Sequence, residues 1–233
     1  MDQKKKFNFI EFVNRYPVLT AAVLFLLYFV AYSLVERITP VSVILIDTPI
    51  DHMIPFSKYA VLPYCLWHVE MGVILLYLAF IKDLGNYWKV TLELVCGLFI
   101  ILIICMIWPN EVCLRPAVVE GNDIFAVLTR FIYSADNSMN VFPSGHAFGA
   151  VVMMSAWGRR CKKPWQYVIN ITLNMAIILS TLFLKQHSVV DLIAGIVLAL
   201  ILVWAGDLLT ASTKRKTKPN VAVAKRTTLN IKK

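Results

Sequence analysis

The feature that most constrains this chain is a series of apolar blocks, each long enough to cross a lipid bilayer. A helix of about 20 apolar residues matches the hydrocarbon thickness of a membrane, and inside that layer every backbone N–H and C=O must be satisfied within the segment itself. Such blocks fall at about 17–35, 59–81, 90–108, 167–184 and 189–209, with a shorter one at about 147–157. The expected fold is all-α, a polytopic membrane helix bundle with about six transmembrane helices. Composition agrees: 59% hydrophobic and 16% charged residues, with a mean hydropathy of +0.69, are too apolar for an ordinary soluble domain.

The net charge of +9 does not point to nucleic acid, because the basic residues sit at segment ends and in the tail without aromatic interleaving or a binding motif. Their distribution sets an orientation instead. Of 23 Lys and Arg, only Arg37, Lys58, Arg115, Arg130 and Lys185 fall in the loops after the first, third and fifth blocks. The positive-inside rule therefore predicts that both termini are cytoplasmic and that these three loops face outside. The lead-in, 1–16, alternates basic residues with Phe7, Phe9, Ile10 and Phe12 and reads as grazing the membrane. No small-residue cleavage site follows the first block, which reads as a retained signal anchor.

Residues 1–210 are expected to form one membrane-embedded domain, and 211–233 a basic, disordered cytoplasmic tail whose partners are solvent and anionic lipid headgroups. Cys65, Cys96, Cys105, Cys113 and Cys161 are scattered singly, which is neither a disulfide framework nor a metal-ligand spacing. The stretch 36–58, with Pro40, Pro49, Pro55, Asp47 and Asp51, reads as a loop partly on the surface and without an assigned role. Ile124, Phe125, Leu128 and Ile132 fall at helical spacing and predict a short amphipathic helix over 123–133. His68 and Glu70 lie mid-block, where an ionisable group is either functional or a hydrogen-bonded packing contact; the sequence leaves both readings open.

Two segments at the outer ends of blocks carry the chemistry. Asn140-Val141-Phe142-Pro143-Ser144-Gly145-His146 supplies a proline-fixed turn, a hydroxyl, a glycine amide that can approach an anion, and an imidazole at the start of a helix, where free N–H groups and the dipole favour negative charge. Ser180 to Asp191 supplies His187 with Asp191 four residues later, about 40° apart on one helical face. An aspartate holding one ring nitrogen fixes the tautomer and leaves the other nitrogen to attack. The same pair could instead cap a membrane helix. Arg115, before Pro116, offers a planar fork matched to phosphate oxygens.

Pro143-Ser144-Gly145-His146, Arg115-Pro116, and Ser180 with His187 and Asp191 resemble the three signature motifs of the type-2 phosphatidic acid phosphatase (lipid phosphate phosphatase) superfamily. The resemblance implies His187 as the nucleophile forming a phosphohistidine, Asp191 as its partner and His146 as the leaving-group acid. It further implies Arg115, Ser144 and Gly145 as the phosphate cradle, with no metal ion or other cofactor. The substrate it implies is a lipid phosphate. Two cations usual in those motifs are missing: Trp108 stands in place of a lysine seven residues before Arg115, and Thr181 in place of an arginine after Ser180. Lys185 is the candidate replacement; in a continuous helix it points about 200° from His187's neighbourhood, so it reaches phosphate only if the chain bends. Fewer cations weaken binding of a dianionic monoester more than of a monoanionic diester. That keeps open a headgroup phosphotransferase resembling inositol-phosphorylceramide or sphingolipid synthases, and beside it a non-catalytic binder of anionic lipid headgroups.

Overall fold

The computed structural model describes residues 8–217. A short helix α1 (Phe9–Arg15) leads into α2 (Pro17–Val35), and the bundle continues with α4 (Val61–Phe80), α5 (Leu84–Ile107), α7 (Gly145–Gly158), α8 (Pro164–Phe183) and α9 (Val189–Thr217). Five of these, α2, α4, α5, α8 and α9, are long and apolar enough to cross a membrane. The sixth, α7, has only 14 residues but forms the centre: Ala147, Phe148, Ala150, Val152 and Met153 are fully buried, and α4, α5, α8 and α9 pack around it. Lipid-facing positions on the outer helices stay exposed and apolar, as in Leu26, Val73, Ile169 and Ile201. This is the all-α polytopic bundle expected.

Helix boundaries follow local chemistry. Ser144 is extended and its hydroxyl accepts from the Ala147 N–H, which caps α7. Pro17 and Pro164 sit in the first turns of α2 and α8, where no N–H partner is lost. α8 ends in a Schellman closure, with Lys185 N–H on Leu182 O (3.0 Å) and Gln186 N–H on Thr181 O (2.9 Å). Lys185 takes the left-handed conformation there, with φ of 55°. The chain therefore does bend at the point where Lys185 required it to.

Close helix contact depends on a missing side chain at Gly195. A Cβ there would lie 2.4 Å from the Ser144 carbonyl oxygen, so only glycine lets α9 meet the start of α7. Ser144 N–H also donates to the Asp191 carbonyl at 3.0 Å.

Several boundaries differ from the sequence expectation. α5 begins at Leu84 rather than near 90, because Lys89 is neutralised inside the helix by Glu93 (3.3 Å) and by Asp207 of α9. α9 continues through Thr217, so the first residues assigned to the tail are helical; 218–233 and the lysines of the lead-in lie outside the described residues. The stretch 36–58 is not a featureless surface loop. Its β1 (Ile44–Leu45) pairs in parallel with β2 (Asn110–Glu111), Ile44 opposite Asn110, and its α3 (Pro49–Met53) buries Asp51 to 1% exposure. The amphipathic helix is present as α6 (Ile124–Ala135).

The two ends of the bundle are distinct. Asn14 accepts from Trp88 Nε1 at 3.0 Å, and Arg160 pairs with Asp83, so the lead-in and the loops after α4 and α7 share one end. The β1–β2 clasp, α3, α6 and both histidine segments share the other.

Candidate active site

Asn110 shapes the approach to the first histidine segment. Fully buried, it accepts from Phe142 N–H through Oδ1 (2.8 Å) and from Asn140 N–H through its carbonyl (2.7 Å), fixing the turn that delivers Pro143 and Ser144. Within α7's first turn, Ala147 and Phe148 N–H are bonded to Ser144. Those of Gly145 and His146 have no protein acceptor among the described residues and remain available to an anion.

His187 is held from behind. Ser188 caps α9, and Asp191 accepts from Ser188 N–H through Oδ2 at 2.8 Å. The same oxygen lies 3.4 Å from His187 Nδ1, within ion-pair reach but off the line of a hydrogen bond. The capping bond is made, whereas the His187 ring lies within ion-pair distance of the same oxygen without a hydrogen bond to it. Asp51 completes the anchoring: its carboxylate accepts from Ser188 Oγ (2.7 Å), Val189 N–H (2.8 Å), Thr48 N–H (2.9 Å) and Thr48 Oγ1 (2.7 Å). Burial acts to raise the Asp51 pKa, but the hydrogen bonds from Thr48, Ser188 and Val189 outweigh it and leave the group below the usual carboxylate value.

The histidines line one cavity of about 430 Å³, with ring centroids 6.0 Å apart. His146 stacks on Tyr64 at 4.2 Å and lies 4.5 Å from Trp67, and its Nε2 is shielded from solvent without a partner. His68 also lines the cavity, 5.9 Å from His146. Glu70 does not: it accepts from Asn174 Nδ2 of α8 at 3.0 Å and joins α4 to α8.

The expected phosphate ligands divide. Gly145 lines the cavity, whereas Ser144 is fully buried at the helix cap. Arg115 does not line it. Its guanidinium lies 4.5 Å over the Tyr133 ring and donates to the carbonyls of Tyr133, Asp136 and Asn137. Its Nη2 also holds Gln186 Oε1. Lys185 is buried with Nζ 2.6 Å from the Asp51 carbonyl, away from the cavity, so the bend does not bring its charge to the cavity wall. Burial lowers its pKa, against the attraction of Asp51 and Asp47.

Sequence reasoning missed Asp51, Gln186 and Asp136. Thr48-Pro49-Ile50-Asp51 is a helix-start pattern that could have flagged the first. Gln186 is 3% exposed, and with Oε1 taken by Arg115 its Nε2 has no partner on the cavity wall. Asp136, which ends α6, lines the cavity and accepts from Tyr32 Oη at 3.3 Å. Burial raises its pKa, opposed by the neighbouring His187 and the Arg115 guanidinium and by the Tyr32 hydrogen bond. Neither has a motif of its own.

A family model described as PAP2 superfamily matches residues 44–205, which hold both histidine segments, Arg115 and the clasp. The chain belongs to the PAP2 superfamily and is a membrane protein of phosphatase-type fold. No curated protein and no solved structure matches it.

Proposed function

We propose that the chain hydrolyses a lipid phosphate or pyrophosphate through a phosphohistidine, at the extracytoplasmic face of the cell membrane. The observation that carries this reading is that His146 and His187 line the same cavity, 6.0 Å apart, with Asp191 behind His187. The separation leaves room for a phosphoryl group between the rings.

His187 attacks phosphorus through Nε2 while Asp191, on the Nδ1 side, stabilises the charge developing on the ring. The bond from phosphorus to the leaving oxygen breaks, and protonated His146 gives that oxygen its proton, releasing a lipid alcohol from a monoester or a lipid monophosphate from a pyrophosphate. Water then attacks the phosphohistidine, His146 takes a proton from it, and the P–N bond breaks to free phosphate and His187. The N–H groups of Gly145 and His146 at the positive end of α7 face the developing charge on the phosphoryl oxygens. Ser144 supports that turn as its cap, and Arg115 acts through Gln186. No metal ion is required in this scheme.

A second reading is favoured by one observation. Trp108 packs on Phe142 and Thr181 donates to Ile178 O, so neither position supplies charge. A cation-poor site suits transfer of a monoanionic diester headgroup to an alcohol. Purified protein in detergent with EDTA, given lipid monophosphates and pyrophosphates, is expected to release phosphate that vanishes in His187→Ala. Release only on adding a phosphodiester donor and an acceptor alcohol would assign transfer, and turnover persisting in His187→Ala would overturn both.

A further inference from the structure

Apart from its three histidines, the cavity carries none of the positive charge that a polyanion needs. Among the described residues lining it there is no Lys or Arg, and the one carboxylate is Asp136. That carboxylate has a single hydrogen bond, the 3.3 Å contact from Tyr32, and no ion pair among the described residues. Arg115, the nearest guanidinium by its contacts, spends its Nη donors on three backbone carbonyls and Gln186 rather than on the Asp136 side chain. The single Tyr32 hydroxyl proton is shared between Asp136 and the nearer Glu36 carboxylate at 2.9 Å, which places a second acidic group beside the same tyrosine. Aromatic rings of Tyr28, Tyr32, Tyr64 and Trp67 form much of the remaining wall.

The phosphate side is built from neutral donors. Gln186 Nε2 is unpartnered on a side chain 3% exposed, and Arg115 on the opposite oxygen fixes which way the amide faces. An amide stabilises a phosphate oxygen by a hydrogen bond without neutralising it. A carboxylate beside such a site repels a dianion, and attracts a cation that aromatic faces also favour.

Resting on the phosphate reading above, we propose that the substrate is zwitterionic, carrying an ammonium group near its phosphate, and that Asp136 is the residue that selects it. The phosphate lies between the histidines against Gln186, and the ammonium lies between Asp136 and the tyrosines. The positive charge missing from the motifs comes with the substrate. Two lipid classes have this chemistry: a monoester with a free amine on its own chain, and a diester with an ammonium on the headgroup.

The test compares two single-chain lipid phosphomonoesters of equal length, one with a free amine two carbons from the phosphate oxygen and one with that amine acetylated. A quaternary-ammonium phosphodiester lipid, paired with an uncharged diester, forms the other arm. Binding is read in His187→Ala protein from the change in intrinsic tryptophan fluorescence, Trp67 being the tryptophan that lines the cavity, so the result does not depend on the histidine's chemistry. Kinetic constants are read in parallel with His187 intact. At least tenfold tighter binding of the charged member is expected in one arm, and which arm responds identifies the source of the ammonium. Adding Asp136→Asn should reduce that preference to within about twofold by weakening the charged ligand alone, while Asp136→Glu retains part of it. Should Asp136→Asn not fold, the same preference is read as competition by a long-chain trimethylammonium amphiphile lacking phosphate, compared between protein with Asp136 and Asp136→Glu. Equal binding of both members in both arms, or a preference that survives Asp136→Asn, would overturn the proposal. Turnover by His187→Ala would instead count against the phosphohistidine alone.

Discussion

The Ser188 hydroxyl donates to the Asp51 carboxylate at 2.7 Å across 137 residues of chain, so a short helix after the first span closes the N-terminus of the last one. With Lys185 on the Asp51 carbonyl and Val189 N–H on its carboxylate, one residue holds the chain on both sides of His187.

Replacing Asp51 by alanine leaves the buried Ser188 donor and the partly buried Val189 and Thr48 donors without an acceptor. Each orphaned donor costs about 1–3 kcal/mol, and the expected loss is about 3 kcal/mol after relaxation. Unfolding in detergent should begin at a clearly lower temperature in Asp51→Ala, and turnover should fall through kcat more than KM. An unchanged unfolding midpoint would show that these bonds contribute little.

Asp51 also makes the outer end acid-sensitive. Its folded-state pKa is depressed, so its contribution to stability is fully present above the unfolded carboxylate value of about 4 and is lost as pH falls through the lower folded value. Wild-type stability is expected to drop on acidifying below about pH 4, and Asp51→Asn should give a flatter curve in that window. Parallel curves for the two proteins would contradict the assignment.

If His146 delivers the leaving-group proton, His146→Ala should slow release of a lipid alcohol by about 10²–10⁴-fold. A substrate whose leaving group needs no proton should lose far less, because the first bond breaks unaided. Equal losses on both substrates would point to His146 binding phosphate instead.

Lys185 is held by backbone geometry as well as by its amine. Lys185→Ala removes the bond to the Asp51 carbonyl while keeping the unfavourable left-handed φ, whereas Lys185→Gly removes the bond and relieves the backbone by about 1 kcal/mol. Thermal midpoints should therefore rank wild type, then glycine, then alanine, with KM within about twofold throughout. A tenfold rise in KM in both variants would return Lys185 to the phosphate.

The bundle was legible because hydropathy blocks need no partner to be recognised; α2 occupies the very residues expected. Its limits were misjudged where charge is neutralised by a distant segment, as at Lys89, which looks like a turn residue until Asp207 of α9 is beside it. His146, His187 and Asp191 stood out through local spacing, and the structure brings them together. Lys185 did not follow, because its direction depends on an acceptor in α3 that lies 134 residues away in sequence. Gln186 and Asp136 gave no signal, since which way a glutamine amide faces is settled only once an arginine from a distant segment has claimed its oxygen.

The shortness of α7 bears on how deep in a bilayer the proposed chemistry would lie. Fourteen helical residues rise about 21 Å, against a hydrocarbon thickness of about 30 Å. Were its C-terminal end to lie at one boundary, His146 would stop roughly 9 Å short of the other. A lipid entering sideways between helices must sink its polar end below the plane of its neighbours, and a thinner bilayer brings that plane down to meet it. Turnover should therefore depend on the acyl-chain length of the surrounding lipids, because membrane thickness sets how far a headgroup must travel before it meets His146.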